Sequence, residues 1–182
     1  MNFIEMYDDA SSSDECNVLI DYFHSHSKCE GGVWSDGRVV VNPLHKKSIE
    51  LDRATFSIHK TISDIVYPSL VKYTGKYLES YKVLNHVSNW RVDDDFSFKK
   101  FEHEDDGFKV WHTEHTTSTP KRILVWMFYL NDALSGTEFE YHPKVEAKAG
   151  RLLIWPSFWT HYHRSEPNKG LKYIISGWYS FN

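Results

Sequence analysis

The spacing of apolar positions changes character along this chain. Cys16, Leu19, Ile20 and Phe23 recur at i, i+3, i+4 and i+7, the stripe of a helix that buries one face, and Ser12 and Glu15 ahead of them have the spacing of a capping box. A Gly-containing stretch over 31–43 reads as a connecting loop. Helical spacing returns with Ile58, Ile62, Ile65 and Val66, is interrupted by Pro68, and resumes with Leu70, Tyr73, Tyr77 and Leu78. Proline lacks the N–H and clashes with the preceding turn, so two helices or one kinked helix are expected there. From Val83 onward, short segments rich in Val, Ile, Phe, Tyr and Trp are separated by Asp93-Asp94-Asp95, Asp105-Asp106-Gly107, Asn131-Asp132, Ser135-Gly136 and Asn168-Lys169-Gly170. Strands are predicted over 83–92, 96–103, 108–115, 122–130, 137–142, 151–155 and 171–181. Such a run of strands after two or three helices predicts a mainly β sandwich or barrel, buttressed on one side by helices.

With 182 residues the chain can bury one sizeable core, and a single domain over 1–182 is expected, its residues 1–82 mainly helical support and 83–182 the β-barrel core. The net charge of −4 is spread over interspersed Lys, Arg, Asp and Glu, with no basic face for a phosphate backbone, so nucleic acid is not expected as a partner. No apolar run approaches the roughly 20 residues of a membrane span, and Met1-Asn2-Phe3-Ile4-Glu5 does not open a secretory leader. A soluble, cytoplasmic protein with no membrane partner is the expectation. Two cysteines, Cys16 and Cys29, fit a reducing compartment, Cys16 as a small buried hydrophobe on the helical stripe.

Eleven histidines are unusual, and only spacing can promote one to a ligand. His112-Thr113-Glu114 falls in a predicted strand, where alternation sends His112 and Glu114 to the same side. Non-haem Fe(II) oxygenases use two imidazoles and one carboxylate on one face of an octahedron, leaving positions for co-substrate and dioxygen. A third ligand has to come from elsewhere, and the strand Gly150 to Pro156 is followed by His161 and His163, which parity alone does not separate. Lys172 beyond them is a cation of the kind that a dicarboxylate co-substrate requires.

In this order the residues resemble the prolyl 4-hydroxylase-like 2-oxoglutarate/Fe(II)-dependent dioxygenases, including short single-domain bacterial and viral members. The resemblance runs through the N-terminal helix, Trp111-His112-Thr113-Glu114, Arg122 with Tyr129-Leu130-Asn131-Asp132, Ser135-Gly136-Thr137-Glu138-Phe139, Gly150 to Pro156, and the series His163, Pro167, Gly170, Lys172, Trp178. It implies a double-stranded β-helix, a jelly roll of cupin-like shape, with Fe(II), 2-oxoglutarate and dioxygen, and ascorbate as an auxiliary. The implied reaction hydroxylates a C–H bond and releases succinate and carbon dioxide, with a prolyl residue of a peptide or protein as first substrate and a free small molecule as the other.

Carried over residue by residue, the resemblance makes His112, Glu114 and His163 the metal ligands. His163 is favoured because Pro167 and Lys172 follow at the family's distances, and His161 is the alternate third ligand, otherwise a pocket residue. Lys172 and Tyr129 take the far carboxylate of 2-oxoglutarate, Trp178 lines the pocket, and Arg122 and Asn131 support the fold or rim. Glu114 stands where the family usually has Asp, Phe101 replaces a co-substrate tyrosine, and Ser135 replaces the first turn glycine. Two other classes compete: a catalytically silent jelly roll that binds a peptide, and a cupin-like zinc metalloprotein, which the lack of His-Glu-x-x-His and Cys-x-x-Cys disfavours.

Overall fold

A computed structural model describes residues 2–35 and 37–182. In chain order its strands are β1 Glu5–Tyr7, β2 Lys28–Glu30, β3 Val33–Ser35, β4 Arg38–Val40, β5 Lys46–Lys47, β6 Ile49–Leu51, β7 Trp90–Phe101, β8 Gly107–Phe108, β9 Arg122–Tyr129, β10 Ala133–Phe139, β11 His142–Ala147, β12 Leu152–Pro156, β13 His163–Ser165 and β14 Lys172–Phe181. Helix α1, Ser13–Ser25, precedes β2, and α2, Lys60–Ser80, lies between β6 and β7. An antiparallel seven-stranded sheet has the order β1-β12-β9-β14-β7-β6-β2, and a three-stranded sheet has the order β11-β10-β13.

Period-two alternation divides the large sheet into two faces. Leu124, Trp126 and Phe128 of β9, Leu152 and Ile154 of β12, Phe96 and Phe98 of β7, and Tyr173, Ile175 and Tyr179 of β14 pack in one cluster with Cys16, Leu19 and Phe23 of α1 and Ile62, Val66, Leu70, Tyr73 and Tyr77 of α2. Their neighbours Val125, Met127, Tyr129, Leu153, Trp155, Phe101 and Ile174 face the other way, against Phe139, Val145 and Ala147 of the small sheet. The helices thus close one face, and the two sheets enclose the other. The mainly β architecture with a helical buttress is the one expected.

The capping box of α1 is formed: the Glu15 amide donates to Ser12 Oγ at 3.2 Å and the Ser12 amide to Glu15 Oε2 at 2.7 Å. Helix α2 runs unbroken through Pro68, which lies on its exposed side, where water can serve the carbonyl that loses its partner.

Several boundaries differ from expectation. Residues 82–86 form a 3-10 turn, and Asp93-Asp94-Asp95 is no turn but the interior of β7, where the register against β14 shifts between Gly177 and Tyr179 and Ser180 Oγ donates to Asp93 at 2.8 Å. Within 108–115 only Phe108 belongs to a regular strand. The 137–142 strand is two, β10 and β11, and Ser135-Gly136 lies inside β10, not at a turn. Gly136 is needed there because a Cβ would sit 1.8 Å from the Val145 carbonyl oxygen. The first 82 residues also supply strands: β1, β2 and β6 extend the large sheet at its edges, and β3 and β4 make a hairpin where a loop was expected, residue 36 lying outside the described residues. Strands of three residues are too short to show alternation.

Gly177 breaks the aromatic run of β14 because a Cβ there would lie 2.4 Å from the fully buried ring of Trp126. Gly177→Ala is expected to destabilise the fold by about 1–3 kcal/mol through overpacking. Urea unfolding would show this as a lower midpoint with an unchanged slope, and a midpoint equal to that of the parent would refute the packing role.

Candidate active site

His112, Glu114 and His163 come together, with one ligand atom from each lying within 4.8 Å of the others. His112 Nε2 is 3.5 Å and His163 Nε2 4.0 Å from Glu114 Oε1. A cation held at about 2.1 Å from each would draw such atoms to separations of roughly 3 Å, so the set can close around one ion with little movement.

The segment carrying His112 and Glu114 is extended without belonging to a sheet. It is tied across instead: His112 and His163 exchange backbone hydrogen bonds of 3.0 Å each way, and the amides of Glu114 and His115 both donate to the Ser157 carbonyl beyond β12. His112 and Glu114 face one cavity, as alternation in an extended segment requires, while His115 bonds away to the Arg122 carbonyl at 2.9 Å.

Both ligand imidazoles are oriented by backbone. His112 Nδ1 donates to the Val110 carbonyl at 3.1 Å, and His163 Nδ1 to the His161 carbonyl at 2.8 Å. Carbonyl oxygens only accept, so each Nδ1 carries a proton and each ring turns its Nε2 toward the cluster. Phe108 stacks on His112 with centroids 3.6 Å apart, and Trp155 meets the His163 ring edge-on at 5.3 Å. Burial, reinforced by the neighbouring His112, lowers the His163 pKa to about 3, which keeps that ring neutral at physiological pH.

Glu114 is held by its other oxygen. Oε2 accepts from Arg122 Nη1 at 3.0 Å and from Trp178 Nε1 at 2.9 Å, and the Arg122 guanidinium lies 3.4 Å over the Trp178 ring. Burial pushes the carboxyl pKa upward, but the hydrogen bond to His112 and the charges of His112 and Arg122 outweigh it and hold the group well below the usual carboxylate range. The donor set therefore suits a divalent cation, which would take the place of any proton that His112 Nε2 shares with Glu114 Oε1: two imidazole nitrogens and an ionised carboxylate face one point. The extra methylene of glutamate is accommodated by the two donors that fix Oε2.

His161 is not available as the alternate ligand. It sits in a single 3-10 turn, Trp159–His161, not in a strand with His163, so the parity that left both open does not apply. Its ring bonds to Thr160 Oγ1 at 2.9 Å and to the Asn2 carbonyl at 2.8 Å and stacks on His142. Its contribution to the site is its backbone carbonyl.

At the other end of the cavity Lys172 is 2% exposed and has no carboxylate within ion-pairing distance among the described residues; its ammonium donates to the carbonyl and hydroxyl of Ser135, each at 3.2 Å. Burial lowers its pKa to about 8, with Glu166 acting in the opposite direction. Tyr129 lines the same cavity, its hydroxyl 2.6 Å from Thr137 Oγ1, and burial raises its pKa. Phe101 lies beneath the Lys172 ammonium at 5.2 Å.

Three residues escaped the sequence reading. Arg122, assigned there to fold or rim, contacts the candidate carboxylate itself. Lys46 and Lys99 also line the cavity. The signal for Lys99 was its parity with Phe101, a charge at an inward position of a strand; Lys46 lies in a stretch with no signal at all.

The model of the 2OG-Fe(II) oxygenase superfamily matches residues 96–180, a segment that includes His112, Glu114, His163, Tyr129 and Lys172. A search of curated proteins gives no match. Among solved structures the chain is similar to the viral collagen prolyl hydroxylase of Paramecium Bursaria Chlorella virus-1 in its 2OG complex, at 16% identity and TM-score 0.64, covering 99% of this chain and 97% of that one. It is similar to a Trichoplax adhaerens prolyl hydroxylase bound to a hypoxia inducible factor peptide fragment, at 15% identity and TM-score 0.65, covering 99% and 84%. It is equally similar to SnoN, a non-heme alpha ketoglutarate dependent epimerase from nogalamycin biosynthesis, at 12% identity and TM-score 0.65, covering 99% and 79%. The family match thus falls on the segment that carries the cluster, and the jelly-roll fold is shared with these structures over nearly the whole length.

Proposed function

We propose that this protein is a 2-oxoglutarate-dependent dioxygenase that hydroxylates a C–H bond, with Fe(II) held by His112, Glu114 and His163 and 2-oxoglutarate anchored through Lys172 and Tyr129. The observation that carries the proposal is one cavity with two kinds of demand. At one end are two imidazoles and an ionised carboxylate; at the other is a buried ammonium with no carboxylate partner among the described residues. An unpaired buried cation is costly by several kcal/mol, a cost that an arriving carboxylate offsets. Iron bound there supplies, with dioxygen and 2-oxoglutarate, oxidation of a substrate C–H bond to an alcohol with release of succinate and carbon dioxide. Ascorbate as an auxiliary reductant belongs to the same proposal.

The chain's own residues divide the work. Arg122 and Trp178 keep Glu114 ionised and turned to the cluster, the Val110 and His161 carbonyls set the imidazole tautomers, and Phe108, Phe139 and Trp155 wall the histidines from water. The substrate proposed first is a prolyl residue of a peptide or protein, with a free small molecule as the alternative. Prolyl hydroxylases among the similar structures support this. Such likeness does not set the acceptor, since the epimerase is equally similar.

Mn(II), as an inert stand-in for Fe(II), is expected to bind one site per chain in an equilibrium titration. His112→Ala and His163→Ala abolish this binding, and Trp178→Phe, which removes one donor to Glu114, weakens it about 10–100-fold. Undiminished binding in His163→Ala would reject the ligand set. Incubation with Fe(II), 2-oxoglutarate and dioxygen is expected to yield succinate, and a preparation that forms none with any peptide or small-molecule acceptor would reject the activity.

Because burial lowers the Lys172 pKa to about 8, its positive charge is complete below that pH and lost above it. Affinity for 2-oxoglutarate is therefore expected to be level up to about pH 8 and then to fall by up to about tenfold per pH unit. Lys172→Met should weaken binding at least about tenfold at pH 7 and erase the pH dependence. A steep fall that persists in Lys172→Met would assign it to another group.

A further inference from the structure

Lys99 is a second cavity-lining cation without a carboxylate partner, and the proposed chemistry does not use it. It lies on the inward side of β7, two residues from Phe101, and its ammonium donates to Ser176 Oγ at 2.7 Å. Among the described residues it has no ion pair. Its charged surroundings are Lys46, Glu50, Glu114 and Arg122, whereas Glu166 is the charge that acts on Lys172. The two lysines therefore serve different parts of one cavity, Lys172 beside Ser135 and Lys99 toward the candidate metal ligands. Beside Lys99 the β5 segment closes in: Lys46 pairs with Phe108 across β5 and β8, and its ammonium is matched by Glu50 at 2.5 Å and the Gly32 carbonyl at 2.7 Å.

Charge balance shows what is missing. The cluster carboxylate Glu114 is matched by Arg122, and Lys46 by Glu50. A divalent cation at the cluster and Lys172 between them answer both carboxylates of 2-oxoglutarate. Lys99 is left without a carboxylate in that balance. Burial, with the neighbouring Lys46 charge, lowers its pKa to about 8 against the partial support of Glu50 and Glu114, so the ammonium is mostly charged at neutral pH and only partly compensated for its desolvation.

We propose that Lys99, with Lys46 beside it, is the recognition site for a carboxylate on the primary substrate, so that the acceptor is an acidic molecule and not a neutral prolyl segment. The inference rests on the assignment of the metal and 2-oxoglutarate to this cavity. The carboxylate has two sources, a free α-carboxylate or an Asp or Glu side chain close to the reacting residue. Either would form a charge-assisted hydrogen bond to Lys99 and hold the reacting carbon at the metal side of the cavity.

The test uses the protein loaded with Mn(II) and 2-oxoglutarate, titrated calorimetrically with matched probes. N-acetyl-L-proline against N-acetyl-L-prolinamide, and N-acetyl-L-alanine against its amide, probe a free carboxylate; acetyl-Pro-Glu-amide against acetyl-Pro-Gln-amide probes a side chain. At least one acidic probe is expected to bind about tenfold or more tightly than its neutral twin. Lys99→Met and Lys99→Gln should abolish that preference, and Lys99→Arg should retain it. Equal binding within every pair, or no binding by any acidic probe, overturns the proposal. A separate arm measures 2-oxoglutarate and levulinate, which lacks the carboxylate next to the keto group. If Lys99→Met weakens 2-oxoglutarate tenfold and leaves levulinate unchanged, Lys99 belongs to the co-substrate and the proposal fails. Failure of the unmodified protein to bind Mn(II) or 2-oxoglutarate would instead overturn the function on which it rests.

Discussion

The alternation of side chains along β14 is the constraint on which the rest of this molecule depends. Tyr173, Ile175 and Tyr179 face the helices, and Lys172, Ile174, Ser176 and Trp178 face the enclosed side. A single strand thereby supplies the anchor proposed for the co-substrate, the hydroxyl that receives Lys99, and the indole that fixes Glu114. Gly177 belongs to the same arrangement, because the side chain that it omits is the space that Trp126 occupies. A shift of one residue in the register of β14 would exchange the two faces and lose core and cavity together.

Charge explains why the cavity is built from so few kinds of group. Glu114 is buried yet ionised because two donors and a neighbouring imidazole stabilise its charged form, and His163 is buried and neutral because nothing there favours its proton strongly enough to offset desolvation. The lysines are the reverse case: burial lowers the pKa of both Lys99 and Lys172, and neither has a carboxylate within ion-pairing distance among the described residues. Groups held at such a cost are explained most simply by anions that arrive with ligands, for Lys172 one on the co-substrate and, by the proposal made for Lys99, one on the acceptor.

The legible parts were those set by local periodicity. Helix α1 with its Ser12–Glu15 box, the buried faces of α1 and α2, and the strands β9, β12 and β14 follow from spacing that any partner surface would require. His112 and Glu114 were legible because an extended segment sends them one way, even though the segment is tied by bridges and not by a sheet. The 93–95 aspartates were misleading because turn propensity is a weak term against pairing along the whole of β7, with a register shift to absorb the mismatch.

What the sequence determined by itself is the class of fold, the helical buttress and the residue types available as ligands, since these depend on neighbours a few positions apart. What only the tertiary structure decided is which of them meet. His161 and His163 are two residues apart and chemically alike, yet a 3-10 turn sends one to Asn2 and strand β13 brings the other to Glu114. Arg122, Lys46 and Lys99 acquire their places from contacts across β9, β14, β5 and β7, and no spacing within the chain encodes a distance between strands that pair only after folding.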